Sequence, residues 1–157
     1  MDIVKESLSR SYLFAGIKSD DLELLAKEFK LRDFNLGDVL INESDEGEAI
    51  YLIADGSVRV EVQSSDLKGS EEIARLKQYD VVGEFILAKS GRRSATVTAV
   101  APLKVCESNR ESLVKLFDQH PRIGYAVYKS LSEILVDRIK GTNMTARNAL
   151  GLVVRMY

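Results

Sequence analysis

Between about residues 36 and 107 the apolar positions recur at every second residue, whereas on either side of that stretch they recur at every third or fourth. Val58, Val60 and Val62 alternate with Arg59 and Glu61, and Asp55-Gly56 reads as a hairpin-type turn. Short segments at 36–42, 49–54, 57–63, 72–76, 81–83, 94–100 and 103–107, broken by Gly, Asp and Ser, predict an antiparallel roll or barrel. Ahead of it, Leu22, Leu25, Ala26 and Phe29 lie at helical spacing over 19–29, with Ser19 and Asp20 placed to cap the first turn. Behind it, Ser108 and Glu111 form a capping box before Leu113, Leu116 and Phe117. Pro121 then opens a longer helix whose apolar stripe is Ile123, Val127, Leu131, Ile134 and Leu135, with Arg138 on the same face. The expected class is α+β, an antiparallel roll with flanking N-terminal and C-terminal helices. Residues 1–140 are expected to form one domain and 141–157 a tail, in which Ala149 to Met156 is expected to form one more short helix.

The most chemically suggestive stretch is 83–97, Gly-Glu-Phe-Ile-Leu-Ala-Lys-Ser-Gly-Arg-Arg-Ser-Ala-Thr-Val. It sets an acid, a short apolar turn, a glycine bend and an arginine pair between two strand-like runs. Free amides at the start of a helical turn attract a phosphate, and a guanidinium grips the same oxygens with a two-pronged hydrogen bond. A carboxylate in that place is repelled by the anion, so Glu84 is expected to accept hydrogen bonds from something attached to the phosphate, such as a ribose hydroxyl. The pair implies a nucleotide. Taken singly, each residue has a plainer reading: Gly83 as a backbone device, Glu84 as a cap, Arg92 and Arg93 as surface cations.

Gly83-Glu84-Phe85, followed ten residues after the glycine by Arg93-Ser94-Ala95-Thr96-Val97, resembles the phosphate-binding cassette of cyclic nucleotide-binding domains. Leu13-Phe14, Gly37-Asp38-Val39-Leu40, Asp45-Glu46-Gly47 and Tyr51 to Val58 follow the same family pattern, so that roughly residues 13–140 are covered. Gly91-Arg92-Arg93-Ser94 and Val136-Asp137-Arg138-Ile139 look most like the cytoplasmic domains of cyclic-nucleotide-gated and hyperpolarisation-activated channels, and bacterial sensors carry related segments. The resemblance implies a β-roll of jelly-roll type, a double-stranded β-helix, binding cAMP or cGMP. It implies Gly83, Glu84, Phe85, Ile86, Leu87, Arg93, Ser94, Ala95 and Arg138 as ligand-binding residues. Arg93, Ser94 and the amides of Phe85 to Leu87 would hold the phosphate and Glu84 the ribose, and a last helix would fold over the pocket as a lid that carries Arg138 to the purine. Read without the resemblance, Arg138 packs its stem on the apolar stripe and snorkels. Ser94 permits either base. Arg92 stands where many relatives have proline and is expected to face solvent. Ile86 replaces a small residue, where its branched side chain is expected to crowd the phosphate. Tyr79 and Val82 replace a glycine and an aromatic residue before the cassette, which is expected to shift the turn and the packing beneath it.

Composition narrows the remaining choices. With 22 basic and 24 acidic residues in 157, the chain has no overall charge that would draw it to nucleic acid or an anionic membrane. The single Cys106 excludes an internal disulfide and is expected to pack as a small residue, and His120 has no second histidine for a metal. No run approaches the length of a membrane span and the N-terminus lacks a signal peptide, so a reducing cytoplasm is expected. Seventeen residues follow Lys140, too few for a helix-turn-helix, and direct DNA binding is not expected. No nucleophile-base-acid set, metal-ligand spacing or Walker loop is present in the sequence, so the expectation is a non-catalytic sensor without cofactor that acts on an effector protein, with a homodimer left open. The competing expectations are a degenerate module that serves only as an interaction or dimerisation surface, and a pocket for another anion such as a cyclic dinucleotide.

Overall fold

The computed structural model describes residues 2–64 and 69–150, with side-chain surroundings through Gly141. Two helices, α1 (Ile3–Arg10) and α2 (Ser19–Ala26), flank a 3-10 turn at Tyr12–Phe14 and lead into eight strands. These are β1 (Lys30–Phe34), β2 (Val39–Ile41), β3 (Ala49–Asp55), β4 (Val58–Gln63), β5 (Ser70–Leu76), β6 (Val81–Val82), β7 (Thr96–Ala99) and β8 (Leu103–Asn109). A single-turn helix, α3 (Phe85–Ala88), interrupts the strands after β6, and α4 (Arg110–Gln119) and α5 (Pro121–Leu150) follow them. The strands form two antiparallel four-stranded sheets, ordered β1-β8-β3-β6 and β2-β7-β4-β5. This is the expected α+β roll with helices at both ends.

The pleat of β3 explains how one strand serves two cores. Ile50, Leu52 and Ala54 point to a core shared with Leu8, Phe14, Leu25, Cys106, Leu113, Ile123 and Leu131, whereas Tyr51 and Ile53 point into the roll beside Ile41, Val58, Val97 and Val105. The helices therefore grip the outer face of one sheet and leave the roll interior to close on itself. Cys106 is fully buried and burial pushes its thiol up to about 11, as a packed residue requires.

Several local expectations are corrected. Asp55-Gly56 does not make a hairpin, because β3 and β4 belong to different sheets. Gly56 sits at φ +97°, where an added Cβ would stand 2.5 Å from the Pro102 carbonyl, and the turn hands the chain from one sheet to the other. Helix α2 begins at Ser19 itself with Lys18 as N-cap and no side-chain cap; the acid that matters is Asp21, buried and bound to Arg122. Asn109, not Ser108, caps α4 by accepting from the Ser112 amide at 2.9 Å, since Ser108 still belongs to β8. Strand β1 and helix α1 have no counterpart among the expected elements, and 36–42 is half turn and half strand. The short helix expected at Ala149 to Met156 lies mostly outside the described residues. No described helix is long and apolar enough to cross a membrane.

Candidate functional site

The chain leaves β6 through Gly83, whose φ of +82° an L side chain rarely adopts. An added Cβ there would meet Arg93 Nη1 at 2.9 Å, the Ala49 carbonyl at 3.0 Å and Ile41 Cδ1 at 3.2 Å. Glycine is required by the backbone and by the neighbouring guanidinium together. Arg93 is aimed from the opposite side by its own backbone: its N–H donates to Asp45 O at 2.9 Å and its carbonyl accepts from Ser44 N at 2.9 Å. Its side chain crosses Gly47, donates from Nη2 to Ala49 O at 2.5 Å and from Nη1 to Gly83 O at 3.4 Å. Among the described residues no carboxylate lies within ion-pair distance of it. Burial lowers its pKa from the usual value, opposed by Tyr51, Glu48 and Glu84, and it remains a cation facing neutral carbonyls.

Glu84 is only 3% exposed. Its carboxylate forms an ion pair with Arg138 of α5, whose guanidinium also lies 5.1 Å from the centre of the Phe85 ring. Burial raises the Glu84 pKa, while Arg138 and Arg93 pull it down. Gly83, Glu84 and Arg93 thus meet at one corner, and Arg138 reaches the same turn from the far end of the chain. Arg138 does not simply snorkel: Glu84 and the Phe85 ring are among its partners.

The rest of the expected set divides. Phe85 is 40% exposed beside a cavity of ≈ 490 Å³ that Leu135, Lys89 and Arg92 also line. Ser94 is exposed, Ala95 half-buried and Arg92 exposed, as expected for Arg92. Ile86 and Leu87 are buried in the helix-side core. The branched side chain of Ile86 therefore points away from the Arg93 corner, and the expectation that it crowds the phosphate is corrected. Tyr79 takes φ +73°, and its N–H donates to Ile53 O at 2.7 Å, so the turn before the cassette holds its left-handed residue without glycine. Val82 is 2% exposed inside the roll and fills the place beneath.

Sequence reasoning missed three contributors. Ala49 supplies only a backbone carbonyl, which carries no residue signature. Arg110 donates from Nε to Ile86 O at 2.9 Å, and the Tyr128 hydroxyl donates to Leu87 O at 2.8 Å. Both belong to helices distant in sequence, and neither follows a spacing rule.

Three comparisons bear on this geometry. A family model described as "Cyclic nucleotide-binding domain" matches residues 31–120, more than half of the chain. The Cyclic AMP receptor protein of Thermus thermophilus is 28% identical over 135 residues, which are 85% of this chain and 60% of that protein. The cGMP-dependent protein kinase egl-4 of Caenorhabditis briggsae is 31% identical over 110 residues, 69% of this chain and 15% of that protein. A crystal structure of a cyclic nucleotide-binding domain from Methylobacillus flagellatus superposes with a TM-score of 0.79 over 99% of this chain and 85% of that one, at 22% identity, and agrees in fold. The chain spans no more than three-fifths of the length of those two curated relatives.

Proposed function

The chain belongs to the cyclic nucleotide-binding domain family, and we propose that it is a non-catalytic sensor of a cyclic purine mononucleotide. The observation that carries this reading is Arg93, a half-buried guanidinium whose partners among the described residues are carbonyls, placed against the turn that presents buried Glu84. A cyclic phosphate would take the Nη1 donor that now makes a long 3.4 Å contact to Gly83 O, while Nη2 stays anchored on Ala49 O. Ser94 and the amides of Phe85 and Ile86 would complete the phosphate contacts, the Leu87 amide being engaged with Glu84 O at 3.1 Å, and Gly83 and Ala95 would let the ligand approach the backbone. Glu84 would accept from the ribose 2′-hydroxyl. All of these groups bind; none is a nucleophile beside a base.

Output passes through α5. Arg138 and a ribose hydroxyl are alternative partners for Glu84, so nucleotide binding releases Arg138 to the exposed side of the pocket, where the purine edge would lie. The helix shifts only by the difference in nucleotide affinity between its two positions. The unit of response is residues 1–140, because Arg122 and Glu133 tie α5 to the N-terminal helices through Asp21 and Tyr12. The effector is a protein contacted by the moving helix. One relative is named for cyclic AMP and another for cGMP, and Ser94 accommodates either base, with cAMP the first ligand to test.

Calorimetry with cAMP, cGMP and a cyclic dinucleotide tests the reading. Saturable one-site heat is expected with a purine mononucleotide. A flat trace for all three on folded protein would reduce the domain to an interaction scaffold, and heat with the dinucleotide alone would assign Arg93 to a different ligand. Glu84→Gln is expected to cost less affinity with the 2′-deoxy nucleotide than with the ribose form, since that contact is already missing; equal losses would detach Glu84 from the sugar.

A further inference from the structure

Helix α3 is a single turn, too short to be stable alone. Its own backbone bonds are few: Leu87 N to Glu84 O at 3.1 Å, Lys89 N to Phe85 O at 3.1 Å and Ile86 N to Gly83 O at 3.5 Å. Burial of the Ile86 and Leu87 side chains keeps the turn against the core, but apolar contact has no direction and leaves the turn free to slide. Direction comes from two donors on other helices. Arg110, the first residue of α4, donates from Nε to Ile86 O at 2.9 Å, and the Tyr128 hydroxyl on α5 donates to Leu87 O at 2.8 Å.

Arg110 does a second thing. Its backbone N–H donates to Glu48 O at 2.9 Å, one residue before the Ala49 carbonyl that anchors Arg93. One residue therefore links the strand entry that aims the guanidinium to the turn that carries the cassette amides. Tyr128 is similarly held in place: its ring meets Phe117 edge to face at 5.7 Å between centroids, and Gly124 lets α5 come close, since a Cβ there would stand 2.8 Å from Phe117 Cβ. Both acceptors are on α3.

The geometry points to Arg110 and Tyr128 as positioning residues that set the spacing between Arg93 and the cassette amides, and so the register in which the two sides meet a phosphate. This rests on the nucleotide reading given above. Neither side chain touches the ligand in this scheme. They act through the carbonyls of Ile86 and Leu87, with Arg110 fixing the turn to the sheet and Tyr128 fixing it to the helix that moves.

The test uses Tyr128→Phe, which keeps the ring, and Arg110→Met, which keeps the aliphatic stem, with Arg110→Lys as a charged control should the methionine variant fail to fold. Affinities are measured for cAMP and for the two phosphorothioate diastereomers of cAMP, in which sulfur replaces one or the other exocyclic phosphate oxygen. Because the guanidinium and the amides approach the phosphate from different sides, the ratio of the two diastereomer affinities reports their relative placement. Tyr128→Phe is expected to weaken cAMP binding about two- to tenfold, the effect of one neutral hydrogen bond, and Arg110→Met about tenfold or more, because its donor is charged; each is expected to change the diastereomer ratio by at least about threefold. A lower melting temperature with an unchanged ratio in variants that fold would overturn the positioning role and leave a structural one. If the wild-type protein binds none of the three compounds, the nucleotide reading falls and takes this role with it; if the wild type binds and the ratio does not move, only this role falls.

Discussion

Replacing Arg138 with methionine removes the partner of a carboxylate that has almost no contact with water. Breaking a fully buried ion pair by deleting one member costs about 3–5 kcal/mol, because the surviving charge is left without compensation. Here the pair is only half buried: the Glu84 side chain is 4% exposed and the Arg138 side chain 44%. Water reaching the guanidinium has already weakened the pair, which brings the expected cost down to about 1–2 kcal/mol. Loss of the guanidinium over the exposed Phe85 ring adds about 0.5–1 kcal/mol that does not depend on pH. The pH dependence separates the two. Burial raises the pKa of Glu84 in the folded protein above the ordinary 4.5, so its contribution to stability is greatest below that value and declines as pH rises through the folded pKa. Without Arg138 the decline is steeper. Urea unfolding followed by circular dichroism should therefore show the variant about 1–2 kcal/mol further below wild type at about pH 8 than at about pH 3, below the ordinary carboxylate range, where a carboxyl with a raised pKa carries its proton in both proteins. An equal gap at the two pH values, or a wider one in acid, would refute the assignment of Arg138 as the charge partner of Glu84.

Arg93→Ala should weaken nucleotide binding by about 2–3 kcal/mol, about 30- to 150-fold, on the scale of a lost charged hydrogen bond, and an unchanged calorimetric affinity would remove it from the site. Ile86→Ala should lower folding stability by about 2–5 kcal/mol through a core cavity without tightening nucleotide binding; tighter binding would show that the side chain does face the phosphate after all. Asp21 accepts from Arg122 Nε and Nη2 at 2.6 Å each, and that contact lowers its pKa from the ordinary 3.8. Its stabilising effect is therefore present above that pH and lost as pH falls through the lowered value, so the melting temperatures of wild type and Asp21→Asn should differ at neutral pH and converge in strong acid.

The strands legible from the sequence are those whose environment differs on their two faces or excludes water on both. Strand β4 announces itself through Val58, Val60 and Val62, and β3 through an unbroken apolar run that serves two cores. Strand β1, Lys-Leu-Arg-Asp-Phe, lies at a sheet edge with Leu31 45% exposed, so nothing in its composition separates it from a loop. Helices α4 and α5 follow from their apolar stripes, whereas the cap of α4 lies one residue later than Ser108 because a serine before a helical run can equally end a strand; α2 starts at the expected Ser19 but without the expected side-chain cap. At the site, residue type and spacing brought Gly83, Glu84 and Arg93 together before any coordinates. They did not reveal that Glu84 takes Arg138 as its partner, because an ion pair between a one-turn helix and a helix that starts 37 positions after Glu84 leaves no local periodicity. Nor did they reveal which way Ile86 points, since a branched residue in a short turn fits either face.

The charge arrangement constrains the ligand further. Before a ligand enters, Glu84 and Arg138 form a pair whose fields largely cancel, which leaves Arg93 as the cation at the Gly83 corner, with Lys89 and Arg92 on the neighbouring cavity. A cyclic phosphodiester carries one negative charge and is matched by Arg93. A nucleoside 5′-monophosphate carries close to two at neutral pH, and its second charge would meet Glu84 on one side and the Glu48 carboxylate, which already acts on Arg93, on the other. Like charges brought together in a partly dry site cost several kcal/mol. The 5′-monophosphate of the preferred base should thus bind at least tenfold more weakly than the cyclic form, about 1.4 kcal/mol or more, and the gap should narrow as pH falls toward about 6, where the monoester gains a proton. Competition by the linear nucleotide in a titration with the cyclic one measures both quantities. Equal affinities across that pH range would mean that a second cation serves the phosphate and that the account of Arg93 as the single one is wrong.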